Sequence, residues 1–233
     1  MGLDWNKIRK VYGIDESIIA EEYKKYRILT WSAICFLFIA YVIGVLLPFR
    51  ISVLRIISTT LIGLIASFIL GVALMIYAIL NQDKIPIALA FTLLFGFLEG
   101  LASYYVFFVA YTIVPHYILF AALITTFIYF LIIYIAAIST KAHEYPSRFI
   151  FAILIAALIL AIIQIFIPFA SLLSILIDLA IIAVFSVALY FDLQRIEKEP
   201  EKWLSNAIGI FLDMINIILR IIMILIQLFA KKD

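Results

Sequence analysis

The sequence predicts an all-α integral membrane protein, a seven-transmembrane-helix bundle. Three observations carry this. Of 233 residues, 67% are apolar and only 14% charged, whereas soluble domains run near half apolar and a quarter charged. The apolar residues fall in long runs without alternation, which excludes an outer-membrane barrel. Each run approaches the roughly 20 residues a helix needs to cross ~30 Å of hydrocarbon.

The elements follow in order. Residues 1–27 are polar and mixed in charge, with Lys7, Arg9, Lys10, Lys24, Lys25 and Arg27. Ile14, Ile18 and Glu22 recur at helical spacing, which predicts a short surface helix leading into the membrane. The apolar run after it starts too late for a secretory signal and is long enough to span, so no cleavage is expected. The seven-helix domain, residues 28–230, divides into segments 28–47, 55–80, 85–110, 117–138, 149–168, 171–191 and 204–230, with a tail at 231–233. Polar or proline-bearing stretches separate them: Pro48 to Arg50, Asn81 to Lys84, Pro115 and His116, Lys141 to Arg148, Pro168, and Arg195 to Lys202. No internal repeat of 20–50 residues is visible.

Basic residues set the orientation. With the N-terminus inside, twelve Lys/Arg fall on the inner side: the six of the leading segment, then Lys84, Lys141, Arg148, Arg195, Lys198 and Lys202. Four, Arg50, Arg55, Lys231 and Lys232, fall outside. This predicts a multi-pass protein of the cell membrane with a cytoplasmic N-terminus. If the last segment instead re-enters from the cytoplasmic side, its terminal lysines move inside and the bias grows, so charge does not decide whether that segment crosses.

Several chemistries are disfavoured. A net charge of +2, spread over many loops, gives no nucleic-acid surface. Cys35 is the only cysteine and lies in an apolar run, where it reads as packing. His116 and His143 are far apart, and no HExxH pattern is present, so neither a zinc site nor a cofactor is expected.

The informative residues are polar ones inside apolar runs: Glu99, Asp178, Asp192 and Asp213. A charge there is expensive unless paired, neutralised or wetted. Asp213, Arg220 and Gln227 are seven apart and drift only about 20° per step, with Asn216 one turn from Asp213. They form one polar stripe on an apolar helix. Asp178 and Asp192, fourteen apart, share a face of the preceding helix. Two such stripes on consecutive helices are placed to face each other. Two close carboxylates in low dielectric cannot easily both ionise, so they hold one proton between them. Its loss leaves repulsion and a cluster of oxygens, the ligand type that hard cations prefer. The plainer reading is that each aspartate is satisfied by Tyr, Ser, Asn or Arg220 and only fixes packing. Gly96 and Gly100, flanking Glu99, make a GxxxG that allows close helix approach. Tyr104, Tyr105 and Tyr111 read as an interface belt or a bundle lining.

Val184-Phe185-Ser186 leading to Tyr190-Phe191-Asp192-Leu193-Gln194-Arg195-Ile196, then Leu212-Asp213-Met214-Ile215-Asn216 and Leu219-Arg220, resembles the Bax inhibitor-1 (TMBIM) family in its prokaryotic form. The strong match covers about residues 180–222. The resemblance implies a bundle whose C-terminal helix is central. It also implies a pH-sensitive calcium leak, with Asp192 and Asp213 as the proton-sharing sensor and metal-facing oxygens, and Ca²⁺ as the permeating ion. Glu99 and Asp178 are the expected ion path, with Asn216 and Arg220 as supporting polar groups. Two departures stand out. Relatives place an acid in the second segment, where this chain has none and Glu99 on the third stands in. They also carry an arginine at the inner end of that segment that latches an aspartate; here Lys84 is the nearest cation and the candidate latch.

Other classes are weighed against this. An intramembrane aspartyl protease also pairs aspartates on its sixth and seventh helices, but it needs GxGD where this chain has Ile210-Phe211-Leu212-Asp213, and no PAL motif follows. A retinal protein needs a Schiff-base lysine that Arg220 cannot replace. A non-enzymatic protein is therefore expected. A proton-coupled transporter uses similar acids but favours broken helices and repeats. A regulatory scaffold without ion flux is the main alternative. The expected partners are the bilayer, calcium and protons, with protein partners unspecified.

Overall fold

A computed structural model describes residues 16–139 and 171–230. Every regular element among them is helical: α1 (Glu16–Leu46), α2 (Ser52–Thr59), α3 (Leu61–Leu80), α4 (Ile85–Ile113), α5 (His116–Ser139), α6 (Ser171–Lys198) and α7 (Trp203–Phe229), with 3-10 turns at Leu47–Phe49 and Pro200–Lys202. Among the described residues six stretches are long and apolar enough to cross a bilayer: Glu21–Phe49, Leu61–Leu80, Ile85–Ile113, His116–Ser139, Leu172–Lys198 and Pro200–Phe229. The expected span 149–168 lies outside the described residues, as do His143, residues 1–15 and the tail 231–233.

Local chemistry sets the boundaries. Pro48, Pro86 and Pro200 sit in the first turn of their helices, where a missing N–H is harmless. Val114 is extended because Pro115 follows, and α4 ends there. The expected second segment, 55–80, is two helices. Thr60 adopts an extended backbone between them and its hydroxyl accepts from Gly63 N–H at 3.2 Å, capping α3. Arg55 donates to the Pro48 and Phe49 carbonyls at 3.1 and 2.9 Å, folding α2 back onto the preceding turn.

Two boundaries run further than hydropathy suggests. The leading surface helix and the first span are one helix from Glu16. The sixth segment does not stop at 191. α6 continues through Lys198, so Asp192 lies well inside it rather than at its end. Hydropathy falls where charged residues begin, but Gln194, Arg195, Glu197 and Lys198 all suit a helix emerging from lipid.

α7 packs against α1, α3, α4, α5 and α6, and α4 likewise touches five helices. Leu204, Phe211 and Ile217 are fully buried. The Phe211 ring meets Phe38, Tyr41 and Phe95 edge-on at 5.2, 5.8 and 6.2 Å. α1 and α4 cross at backbone contact: a Cβ on Gly100 would collide with the Tyr41 carbonyl, and one on Gly96 would lie 2.9 Å from the Leu37 carbonyl. In lipid such contacts replace the hydrophobic drive that water supplies. Cys35 is exposed rather than packed, because α1 turns that face outward.

Candidate functional site

α6 and α7 run antiparallel and face each other along their polar stripes. At one level of this seam stand Asp192 and Asp213, 8% and 6% exposed, within Coulombic reach of each other. The approach depends on Gly209, one turn before Asp213. A Cβ there would collide with Asp192 Oδ2, so the Asp192 carboxylate occupies the space a side chain would take. Asp192 Oδ1 receives Arg195 Nη1 at 3.4 Å from the next turn of its own helix. Asp213 Oδ2 is buried and has no hydrogen-bond partner. An unpartnered buried carboxylate oxygen is costly unless the group carries a proton or meets a cation.

The second level is built differently. Asp178 is completely buried, and both its oxygens are taken. Arg220 Nη1 donates to Oδ1 at 2.9 Å and Gln227 Nε2 to Oδ2 at 2.9 Å. Arg220 therefore reaches Asp178 and not the Asp192–Asp213 pair. A carboxylate with both oxygens engaged is not an open ligand, so the expected placement of Asp178 along an ion path gives way to a clamp between α6 and α7. The seven-residue spacing of Asp213, Arg220 and Gln227 separates the two levels by about 10 Å or more.

Glu99 is directed elsewhere. Its Oε1 lies 3.7 Å from where a Cβ on Gly71 of α3 would sit, and it stands within Coulombic reach of Tyr41. It thus faces α1 and α3 rather than the aspartate pair. The Tyr104 hydroxyl is buried without a hydrogen-bond partner, and the Tyr41 hydroxyl is buried beside Ser103. Tyr105 and Tyr111 are exposed on the outer face of α4, and His116 packs edge-on against Tyr111 at 4.5 Å. Asn216 donates to the Leu212 carbonyl of its own helix at 2.8 Å, so it supports α7 rather than the seam.

Lys84 is exposed at the N-terminus of α4, and among the described residues it forms no ion pair. The cation on Asp192 is Arg195. The i,i+3 spacing of Asp192 and Arg195 is readable in the sequence. Arg195 also reaches Glu199 Oε2 at 3.4 Å, and Lys202 reaches the same oxygen at 3.1 Å. Partial burial works to raise the Glu199 carboxyl, but Lys202 and Arg195 outweigh it and hold it below its ordinary value. The turn between α6 and α7 is thereby a charged cap directly beyond the aspartate pair. Among the described residues no cluster of three metal-ligating side chains occurs.

Comparison with known proteins gives one family. A family model described as "Bax1-I: Inhibitor of apoptosis-promoting Bax1" matches residues 23–230, nearly the whole chain. No curated protein matches significantly.

Proposed function

We propose that this chain, which belongs to the Bax inhibitor-1 family, is a pH-sensitive calcium leak of the cell membrane, with its N-terminus in the cytoplasm and gated at Asp192 and Asp213. The observation that carries the reading is the unpartnered Oδ2 of Asp213 beside a buried second carboxylate on the neighbouring helix. With one proton on the pair, Arg195 balances the remaining charge, and the α6–α7 seam is neutral and closed. When that proton leaves, two carboxylates face a single guanidinium. The excess negative charge in low dielectric pushes the helices apart and attracts a hard cation to oxygen ligands. Rising pH therefore opens the path and falling pH closes it. Glu99 and the buried Tyr104 hydroxyl supply further oxygens in the interior. Asp178, clamped by Arg220 and Gln227, holds the far half of the seam together while the near half moves.

The test is calcium influx into proteoliposomes loaded with an indicator dye, from pH 6 to 8. Wild type is expected to admit more calcium as pH rises. Asp213→Asn, a permanent mimic of the protonated acid, is expected to stay at the low-pH rate throughout, and Asp192→Asn to flatten the profile. Influx that is absent, or indifferent to both substitutions, overturns the leak and favours a scaffold acting without flux.

A further inference from the structure

A furrow runs down the side of the bundle between α1 and α5, with the α6–α7 seam as its floor. Its middle chamber, about 310 Å³, is lined by Trp31, Phe127, Phe130, Leu193 and Met214 among other apolar residues. A deeper chamber of about 250 Å³ shares Phe127, Phe130 and Met214 and ends at Phe38 and Ile218. In the other direction the middle chamber opens past Trp31 and Tyr134 into a third, about 310 Å³, walled partly by Gln194 and Glu197. Arg27 donates to Glu197 at 3.0 Å at this end, so the mouth carries both signs of charge.

We propose that this furrow binds one membrane glycerophospholipid, with an acyl chain along the α6–α7 seam and the headgroup at Gln194 and the Arg27–Glu197 pair. Two features select this occupant. The order of the lining from mouth to depth is charged and amide, then the edge-on pair Trp31 and Tyr134 at 5.6 Å, then apolar except for Thr126, whose hydroxyl donates to the Ala122 carbonyl of its own helix at 2.7 Å. That is the order of headgroup, interface and hydrocarbon in one leaflet. The furrow extends along α5 from Ile138 to Leu123, about 22 Å at 1.5 Å per residue, which matches half of a bilayer ~40–45 Å thick with its headgroups. Leu193 and Met214 directly follow Asp192 and Asp213 in sequence. A chain lying on them presses on the turns that hold the aspartate pair.

The test uses full-length protein in phosphatidylcholine vesicles doped with a phosphatidylcholine that carries a photoreactive diazirine on its acyl chain, followed by peptide mapping. Ile62 and Phe68, 82% and 58% exposed on α3, report ordinary lipid contact. Phe130 on the α5 wall, 8% exposed, and Met214 on the floor report the furrow interior. Wild type is expected to be labelled at Phe130 and Met214 at least as heavily as at Ile62. Leu131→Trp, at the furrow's rim, is expected to lower the floor label several-fold and leave the α3 label unchanged. A floor without label in the wild type overturns the proposal, as does a floor label untouched by Leu131→Trp, or a furrow cross-linked to a second copy instead of lipid. The readout is labelling, so it decides the lipid site whatever the calcium assay returns.

Discussion

At the level of single residues, each intramembrane acid has its own solution. Asp178 takes two donors, Asp192 takes one from its own helix, and Asp213 keeps an oxygen without any. These differences predict different responses to mutation. Arg220→Met leaves Asp178 buried with only Gln227, and losing one partner of a buried pair typically costs about 3–5 kcal/mol. Thermal unfolding in detergent should show that loss, and Asp178→Asn with Arg220→Gln together should recover much of it. An unchanged melting temperature in Arg220→Met would show that the pair is not what holds this half of the seam. Gly209→Ala alters no charge, yet it places a methyl where the Asp192 carboxylate sits. Overpacking of this kind costs about 1–3 kcal/mol. Influx across pH 6 to 8 is expected to shift in Gly209→Ala, because the two carboxylates are forced to a new separation. A profile identical to wild type would remove Gly209 from the gate.

The relevant element is the hairpin of α6 and α7 with its charged turn. Arg195, Glu199 and Lys202 tie the turn together, and Asn206 Nδ2 donates to the Glu199 carbonyl at 3.0 Å. Folding holds the Glu199 carboxyl below its ordinary value of 4.5. Its contribution to stability is therefore present above that value and lost as pH falls through the lower, folded one. The side chain is 39% exposed, so the contribution is small and screened by salt. Between pH 5 and 3 at low ionic strength, wild type is expected to lose more of its melting temperature than Glu199→Gln does. Parallel losses would mean that the ionised carboxylate adds nothing to the turn. This hairpin was only partly legible. The stripe Asp213, Arg220, Gln227 followed from spacing, and its facing toward α6 followed from the high cost of polar groups in lipid. Which acid receives Arg220 did not, because two aspartates on one face offer equivalent periodicity. The helical end of α6 was hidden because hydropathy reports contact with lipid, whereas helix formation continues through the charged residues beyond it.

For the whole molecule, one end of the bundle gathers Arg27, Glu197 and the charged turn, and Tyr26 there stands within Coulombic reach of Asp83 and Glu201. The proposed cytoplasmic N-terminus puts this end inside. In a Cys35→Ser background, Arg50→Cys is expected to react with an impermeant maleimide in intact cells, while Lys84→Cys should react only after permeabilisation. The reverse pattern would invert the topology. The sequence by itself determined that the chain is an all-helical membrane protein and which acids are anomalous, since transfer energies are local properties of a segment and a charge in hydrocarbon is conspicuous. It also carried the family motif around Asp192 and Asp213. Only the tertiary structure decided that Asp178 is clamped, that Arg195 rather than Lys84 meets Asp192, that Glu99 turns toward α3, and that a furrow opens between α1 and α5. Each depends on the rotation and approach of one helix against another. Those are set by side-chain volumes at the crossings, above all the absent side chains of Gly96, Gly100 and Gly209, and no periodicity along a single helix encodes them.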